Sequence, residues 1–308
     1  MDVRIEDDEQ VAGLRWLRLD RPDAHNAYSE AMVDELVTAL DEAEADPAVR
    51  VVAITGEGRS FSAGGDLKRM AAHTGMFEGD ATALRARYMR GIQRVPRRMA
   101  RFDKPVIAAV NGAAIGAGLD LACMADVRIA SDRAKLGSTF VKVGLVPGDG
   151  GAYFLARTIG YPRALDLILT ARIVDADEAL AIGLVHQVVP ADGLVDAVRA
   201  KAGVLTALPP VALRLAKAAA VRSWDLGLDA ALELAATFQG VATEVRLVLN
   251  NGHQGLTDHM WGISKYDPDK GLPVVTDVVL YKAECIMPPD GVGSVEWIKG
   301  GMKGAQCD

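Results

Sequence analysis

Two glycine-rich segments carry residue types suited to holding negative charge on a ligand oxygen. The first is Phe61-Ser62-Ala63-Gly64-Gly65-Asp66-Leu67, and the second is Asn111-Gly112-Ala113-Ala114-Ile115-Gly116-Ala117-Gly118-Leu119-Asp120. Small side chains let backbone N–H groups approach a ligand closely, and the start of a helix offers unpaired N–H donors at the favourable end of its dipole. Two such turns converging would give two donors to one oxygen, the arrangement that stabilises an oxyanion. Groups that could move protons stand nearby: Asp120 in the second segment, and Asp149 in the tight turn Pro147-Gly148-Asp149-Gly150-Gly151. An aspartate in a turn also suits its own backbone hydrogen bonds, so both roles stay open for Asp149. Tyr153 reads as a packed aromatic and Glu57 as surface charge. No metal is expected: His253 and His259 lack partner ligands, and Cys123, Cys285 and Cys307 show no zinc spacing.

Each glycine segment follows a run that reads as a buried strand, Val49–Thr55 before the first and Lys104–Val110 before the second, and each opens into helix-like sequence. Val11–Leu19 alternates as a half-buried strand does, and Ser29–Ala45 carries Met32, Leu36 and Leu40 on one helical stripe. Ala81–Phe102 reads as a helix that Pro96 kinks or divides. A short helix Leu119–Met124, a strand Val127–Ala130, helices Tyr161–Ala171 and Asp175–Ile182, and a strand Gly183–Val189 follow. Beyond Pro190 the pattern is helical, with Pro209-Pro210 opening a new helix. From about Asn250 the periodicity weakens, leaving a tail with one strand, Val274–Lys282.

At 308 residues, 50% hydrophobic and 24% charged, the chain suits a globular enzyme with a sizeable core. A net charge of −7 without a basic stripe argues against nucleic-acid binding. Arg94, Arg97, Arg98, Arg101 and Lys104 are the local exception, and their spacing suggests a solvated helix face. The N-terminus lacks the basic and apolar regions of a secretory signal, and the apolar stretch Val106–Val127 is interrupted by Asn111 and Asp120. The expectation is a cytoplasmic, soluble protein with no membrane partner.

In sequence order, RPDAHNAYS (21–29), GEGRSFSAGGDLKRM (56–70), KPVIAAVNGAAIGAGLDLACMADVRIAS (104–131), KVGLVPGDGG (142–151) and ARIVDADEALAIGLVHQVV (171–189) resemble the crotonase superfamily, the enoyl-CoA hydratase/isomerase family. The resemblance spans about residues 10–240. It implies an α/β fold, a crotonase-like spiral of ββα units with a C-terminal helical region that builds homotrimers, or hexamers as dimers of trimers. The corresponding organisation is a spiral core over 1–205, helices over 206–262 and an atypical extension over 263–308. It implies an acyl-CoA substrate and no separate cofactor, since CoA arrives as part of the thioester.

Carried over by position, Gly65 and Ala117 would supply the two N–H groups for the thioester oxygen. Ala63, Asp66, Leu67 and Lys68 would join the substrate-binding set on the CoA side, with His25 nearby. On the residues alone, His25 also reads as an ordinary loop histidine and Lys68 as a solvated charge. Hydratases of this family use two glutamates; Asp120 stands at the first position and Phe140 at the second. Phenylalanine can neither take nor give a proton. The pattern therefore shifts weight from hydration to isomerisation, with Asp120 as the single catalytic base and Phe140 and Asp149 lining the substrate site. Two alternatives use the same oxyanion turns: decarboxylation or hydrolytic cleavage of an acyl-CoA, and acyl-CoA binding without catalysis. A nicotinamide dehydrogenase is the rival from another fold, suggested by Gly112, Gly116 and Gly118 with Asp132 further on, and by Tyr266 and Lys270. Pro268 opposes the helix which that last pair needs.

Overall fold

Strands buried on both faces organise the molecule. A computed structural model of the chain describes residues 1–249, 259–267 and 272–281, with side chains through residue 242. β1 (Val3–Asp7) and β2 (Leu14–Leu19) form an antiparallel pair, followed by α1 (Glu30–Ala45). Then come β3 (Val51–Gly56), β4 (Ser60–Ser62), α2 (Leu67–Ala71), α3 (Ala81–Arg90) and α4 (Arg94–Met99). β5 (Val106–Val110), β6 (Ala113–Ile115) and α5 (Ala117–Met124) repeat the strand–strand–helix order. So do β7 (Val127–Ser131), β8 (Lys135–Gly137), α6 (Gly151–Ile159) and α7 (Tyr161–Thr170). β9 (Val174–Asp175), α8 (Ala176–Ala181), β10 (Gln187–Val189), α9 (Leu194–Thr206), α10 (Pro210–Ser223) and α11 (Leu228–Leu249) come next. A hairpin of β11 (His259–Asp267) and β12 (Leu272–Tyr281) ends the described residues.

The first strand of each repeat joins one sheet, ordered β1-β2-β3-β5-β7-β10 and parallel beyond β2; the second joins another, ordered β4-β6-β8-β9. Alternate residues of β3 and β5 point to opposite faces, and both faces are covered. Val52, Ile54, Val106 and Ala108 pack with Leu36 and Leu40 of α1. Val51, Ala53, Ile107 and Ala109 pack with Leu194, Val198 and Ala202 of α9. This explains why β3 and β5 read as continuous apolar runs. The chain divides into one unit over Met1–Phe238 and another over Gln239–Asp308. Among the described residues no single helix is long and apolar enough to cross a membrane.

Several sequence expectations need correction. Helix Ala81–Phe102 does divide, but around Gly91 and not at Pro96, which sits in the first turn of α4 where its missing N–H costs little. Strand Gly183–Val189 is confined to Gln187–Val189, and both β1 and α6 went unread. The basic cluster is a solvated face only at Arg97 and Arg101, which are exposed. Arg94 pairs with Asp34, and Arg98 Nε and Nη2 bond Asp41 and Glu44 of α1 at 2.5 and 2.7 Å. Lys104, 4% exposed, donates from Nζ to Ala43 O and Asp46 O at 2.7 and 2.6 Å. Tyr153 is exposed, its hydroxyl donating to Asp225 and the Arg157 guanidinium lying over its ring. Tyr266 lies in β11, a strand and not the helix that dehydrogenase chemistry requires. Lys270, His253, Cys285 and Cys307 lie outside the described residues.

Asn26 ties the first loop to the β3–β4 turn. It is fully buried; Oδ1 accepts from Arg21 N–H at 2.9 Å, and Nδ2 donates to Glu57 O and Ser60 O at 3.0 and 2.8 Å. Asn26→Ala would strip three partners from the loop, an expected loss of about 3 kcal/mol, lowering Tm by roughly 6–12 °C. Thermal unfolding followed by circular dichroism checks this; a shift under about 2 °C would show that the tie is not structural.

Candidate active site

The two glycine turns meet. β4 and β6 pair in parallel, placing the Ala63–Gly65 turn against the N-terminus of α5. A methyl on Gly64 (φ +81°) would fall 2.5 Å from Ile115 O and 2.8 Å from Ala117 N; one on Gly118 would fall 2.1 Å from Ser62 O. Only glycine allows these approaches. Hydrogen bonds hold the first turn from both sides: Tyr28 N–H donates to Gly64 O at 2.7 Å, and Ala63 N–H to His25 O at 2.9 Å. Ser62 Oγ donates to Asn26 O at 2.8 Å and accepts from Gly64 N–H at 3.1 Å. Gly116 N–H donates to Gly137 O at 2.8 Å, anchoring the second turn. Among the described residues, neither Gly65 N–H nor Ala117 N–H has a protein acceptor. Ala117 is the first residue of α5, where the helix leaves its N–H free.

Both residues line one small cavity of about 80 Å³. Ala63, Leu67, Gly116, Phe140 and Asp149 line it with them. The Phe140 ring lies across from Gly116, 3.7 Å from where a Cβ on that glycine would stand. His25, Asp66, Lys68 and Asp120 do not line this cavity. His25 turns its ring to Arg59 and Ser60, both at 3.3 Å. Asp66 caps α2, accepting from Arg69 N–H at 3.2 Å, and Lys68 is exposed.

Asp120 and Asp149 form a buried pair, 0% and 1% exposed. Asp149 faces the cavity while Asp120 sits behind it, against the start of α6. A methyl on Gly151 would fall 2.2 Å from Asp120 Oδ1. None of the four oxygens has a hydrogen bond of good geometry; the nearest backbone donors are Gly151 N–H beside Asp120 and the N–H of Asp149 itself. A single proton between them would satisfy both. Burial, then the neighbouring Asp149 charge, holds Asp120 well above the ordinary carboxylate range, against a smaller opposing pull from Gly151 N–H. Burial also raises Asp149, against hydrogen bonds from Asp120 and from its own backbone N–H, so the two carboxyls titrate as one coupled pair above the ordinary carboxylate range. The pair thus retains a proton, and of its two members Asp149 is the one that reaches the cavity.

Two tyrosines missed in the sequence surround the pair. Tyr28 is buried with its hydroxyl unpartnered, and burial followed by the charges of Asp149 and Asp120 pushes that phenol up. Tyr88 lines the cavity, and burial with the same charges raises it to about 12. Nothing in the periodicity of α3 marks Tyr88, because its place depends on the break at Gly91. Cys123 is a buried thiol, raised by burial to about 12, and plays no part in the cavity.

Because the folded state holds protons here that the unfolded chain would release, the pair's contribution is full below about pH 4 and lost as pH rises through the folded values. Asp120→Asn replaces one of the two titrating carboxyls by an amide that needs no proton to donate to Asp149. It is therefore expected to raise Tm relative to the native chain by about 2–4 °C more near pH 8 than near pH 4. An equal shift at both pH values in calorimetry would contradict the shared proton.

The match to known proteins agrees with this geometry. The family model described as enoyl-CoA hydratase/isomerase matches residues 9–255. A probable enoyl-CoA hydratase of Mycobacterium bovis is 39% identical over 232 residues, covering 75% of this chain and 85% of that relative. The crotonyl-CoA hydratase of Syntrophomonas wolfei is 37% identical over 242 residues, covering 78% and 89%. The crystal structure of an enoyl-CoA hydratase from Bacillus anthracis superposes with a TM-score of 0.72 at 32% identity, covering 78% of this chain and 90% of that one. The chain belongs to the enoyl-CoA hydratase/isomerase family and has its crotonase fold.

Proposed function

We propose that the chain moves a proton between carbons of an enoyl-CoA thioester, isomerising its double bond in preference to hydrating it. Family membership and the names of its relatives support the acyl-CoA substrate. The observation carrying the finer reading is the cavity wall: Asp149 supplies a carboxylate, Asp120 backs it with a proton, and Phe140 stands where a second family carboxylate would be.

The thioester oxygen lies between Gly65 N–H and Ala117 N–H. Asp149 takes a proton from the carbon beside the thioester carbonyl. That C–H bond breaks, an O–H bond forms, and the electron pair moves onto the oxygen as an enolate. The two N–H groups stabilise this charge more than that of the neutral carbonyl, which is what lowers the barrier. The proton then returns from Asp149 to the carbon at the far end of the dienolate, the double bond shifts, and nothing is gained or lost. Asp120 keeps its own proton throughout and holds the Asp149 carboxylate in place. Hydration in this family uses two glutamates on the water, and Phe140, which cannot exchange a proton, stands at the second of these positions.

Hydration is the second reading, favoured by the hydratase names of the relatives. Parallel assays of 3-enoyl-CoA isomerisation and crotonyl-CoA hydration separate the two. Isomerisation is expected to be faster by about 100-fold or more, and Asp149→Asn should lower its kcat by about 10²–10⁴-fold with little change in KM. Faster hydration, or isomerisation indifferent to Asp149→Asn, would overturn the proposal. Release of CO2 or free CoA would point to cleavage, and tight binding without turnover to a binding protein.

A further inference from the structure

The small cavity opens into a much larger one. A groove of about 720 Å³ runs between α2, α3 and the 143–148 loop. The two share Leu67, Met70, Phe77, Tyr88, Val143 and Leu145 as walls. Apolar side chains along the groove are left in solvent: Leu67 is 55% exposed, Val143 49% and Val146 73%. Among the side chains lining it, the polar groups are few. Gln93 is already committed, donating to Gly148 O at 2.7 Å, while His73 and Arg85 are exposed.

We infer that this groove receives the acyl tail of the thioester, and that the tail is large and hydrophobic, roughly eight carbons or more. The inference rests on the thioester oxygen lying at Gly65 and Ala117, and it moves Leu67 from the CoA side expected of it to the acyl side. From that point the ligand extends in two directions, as pantetheine and as acyl chain. Pantetheine carries two amides that need partners; the groove's polar side chains are Tyr88, Gln93, His73 and Arg85, and the rest of its wall is leucine, valine, methionine, phenylalanine, alanine and glycine. An alkyl or ring-bearing acyl group needs only apolar surface, and covering the exposed leucine and valines is the gain. Space of this size normally holds a whole drug-sized ligand, so a four-carbon acyl group would leave most of it empty. The site thus differs in tail size from what the names of its crotonyl-CoA and short-chain-enoyl-CoA relatives denote.

Calorimetric binding of saturated acyl-CoAs tests this apart from catalysis, since these ligands have no double bond to move. From butanoyl- through octanoyl- to dodecanoyl-CoA, Kd is expected to fall by about fourfold per added methylene until the groove is full. Leu84→Trp, in a residue that lines the groove and not the inner cavity, should weaken dodecanoyl-CoA at least tenfold more than butanoyl-CoA. Leu84→Ala, which cannot overfill the groove, keeps the test open if the tryptophan variant misfolds; it should flatten the length dependence in the same direction. A Kd constant within threefold along the series would overturn the inference and leave the proposed isomerisation standing. Equal weakening of short and long ligands by Leu84→Trp would place pantetheine in the groove and overturn it too. A steep length dependence with no isomerase activity would uphold the groove and count against the reaction.

Discussion

Everything at this site depends on two backbone turns being pressed together more closely than any side chain permits. The parallel pairing of β4 with β6 brings them side by side, and Gly64 and Gly118 allow the final approach to Ile115 O, Ala117 N and Ser62 O. Neither free N–H is held by its own turn alone. Tyr28 and His25 grip one turn from the first loop, while Gly137 grips the other from β8. The strands of the main sheet are buried on both faces, so the frame carrying these turns resists deformation. Donors fixed in this way need no reorganisation when charge develops on an oxygen between them, which is the physical content of preorganisation.

The second constraint is electrostatic. Two carboxyls buried side by side cannot both ionise without a large desolvation and repulsion cost, which the backbone N–H groups nearby offset only in part. One retained proton resolves the conflict, and because only Asp149 of the two reaches the cavity, it is the one proposed as the base. Phe140 adds an apolar ring to the same cavity, beside Gly116, where it can neither take nor give a proton. The strain at the carboxyl pair and the freedom of the N–H pair are complementary, since one supplies the charge that the other receives.

Much of this was legible in the sequence because it rests on local patterns. The glycine segments, the buried strands before them and the helix opened by Pro210 follow from residue types and periodicity. Asp120 was legible as a candidate catalytic base, but not its position behind Asp149, because that depends on how α5 meets the start of α6. Likewise, the arginines of α4 look solvated until α1 supplies Asp34, Asp41 and Glu44. Spacing along one helix shows which side chains share a face; it does not show what lies opposite. Tyr28 and Tyr88 escaped notice for the same reason, each reaching the carboxyl pair only through a tertiary contact.

The shared proton is the central claim, and infrared spectroscopy of the protein carrying ¹³C-labelled aspartate reads it directly. At neutral pH a protonated carboxyl band should be present, shifted by the label, and it should vanish in a variant that lacks Asp120. A spectrum showing only ionised aspartates would mean that Asp120 and Asp149 do not share a proton, and the account of the base would fail.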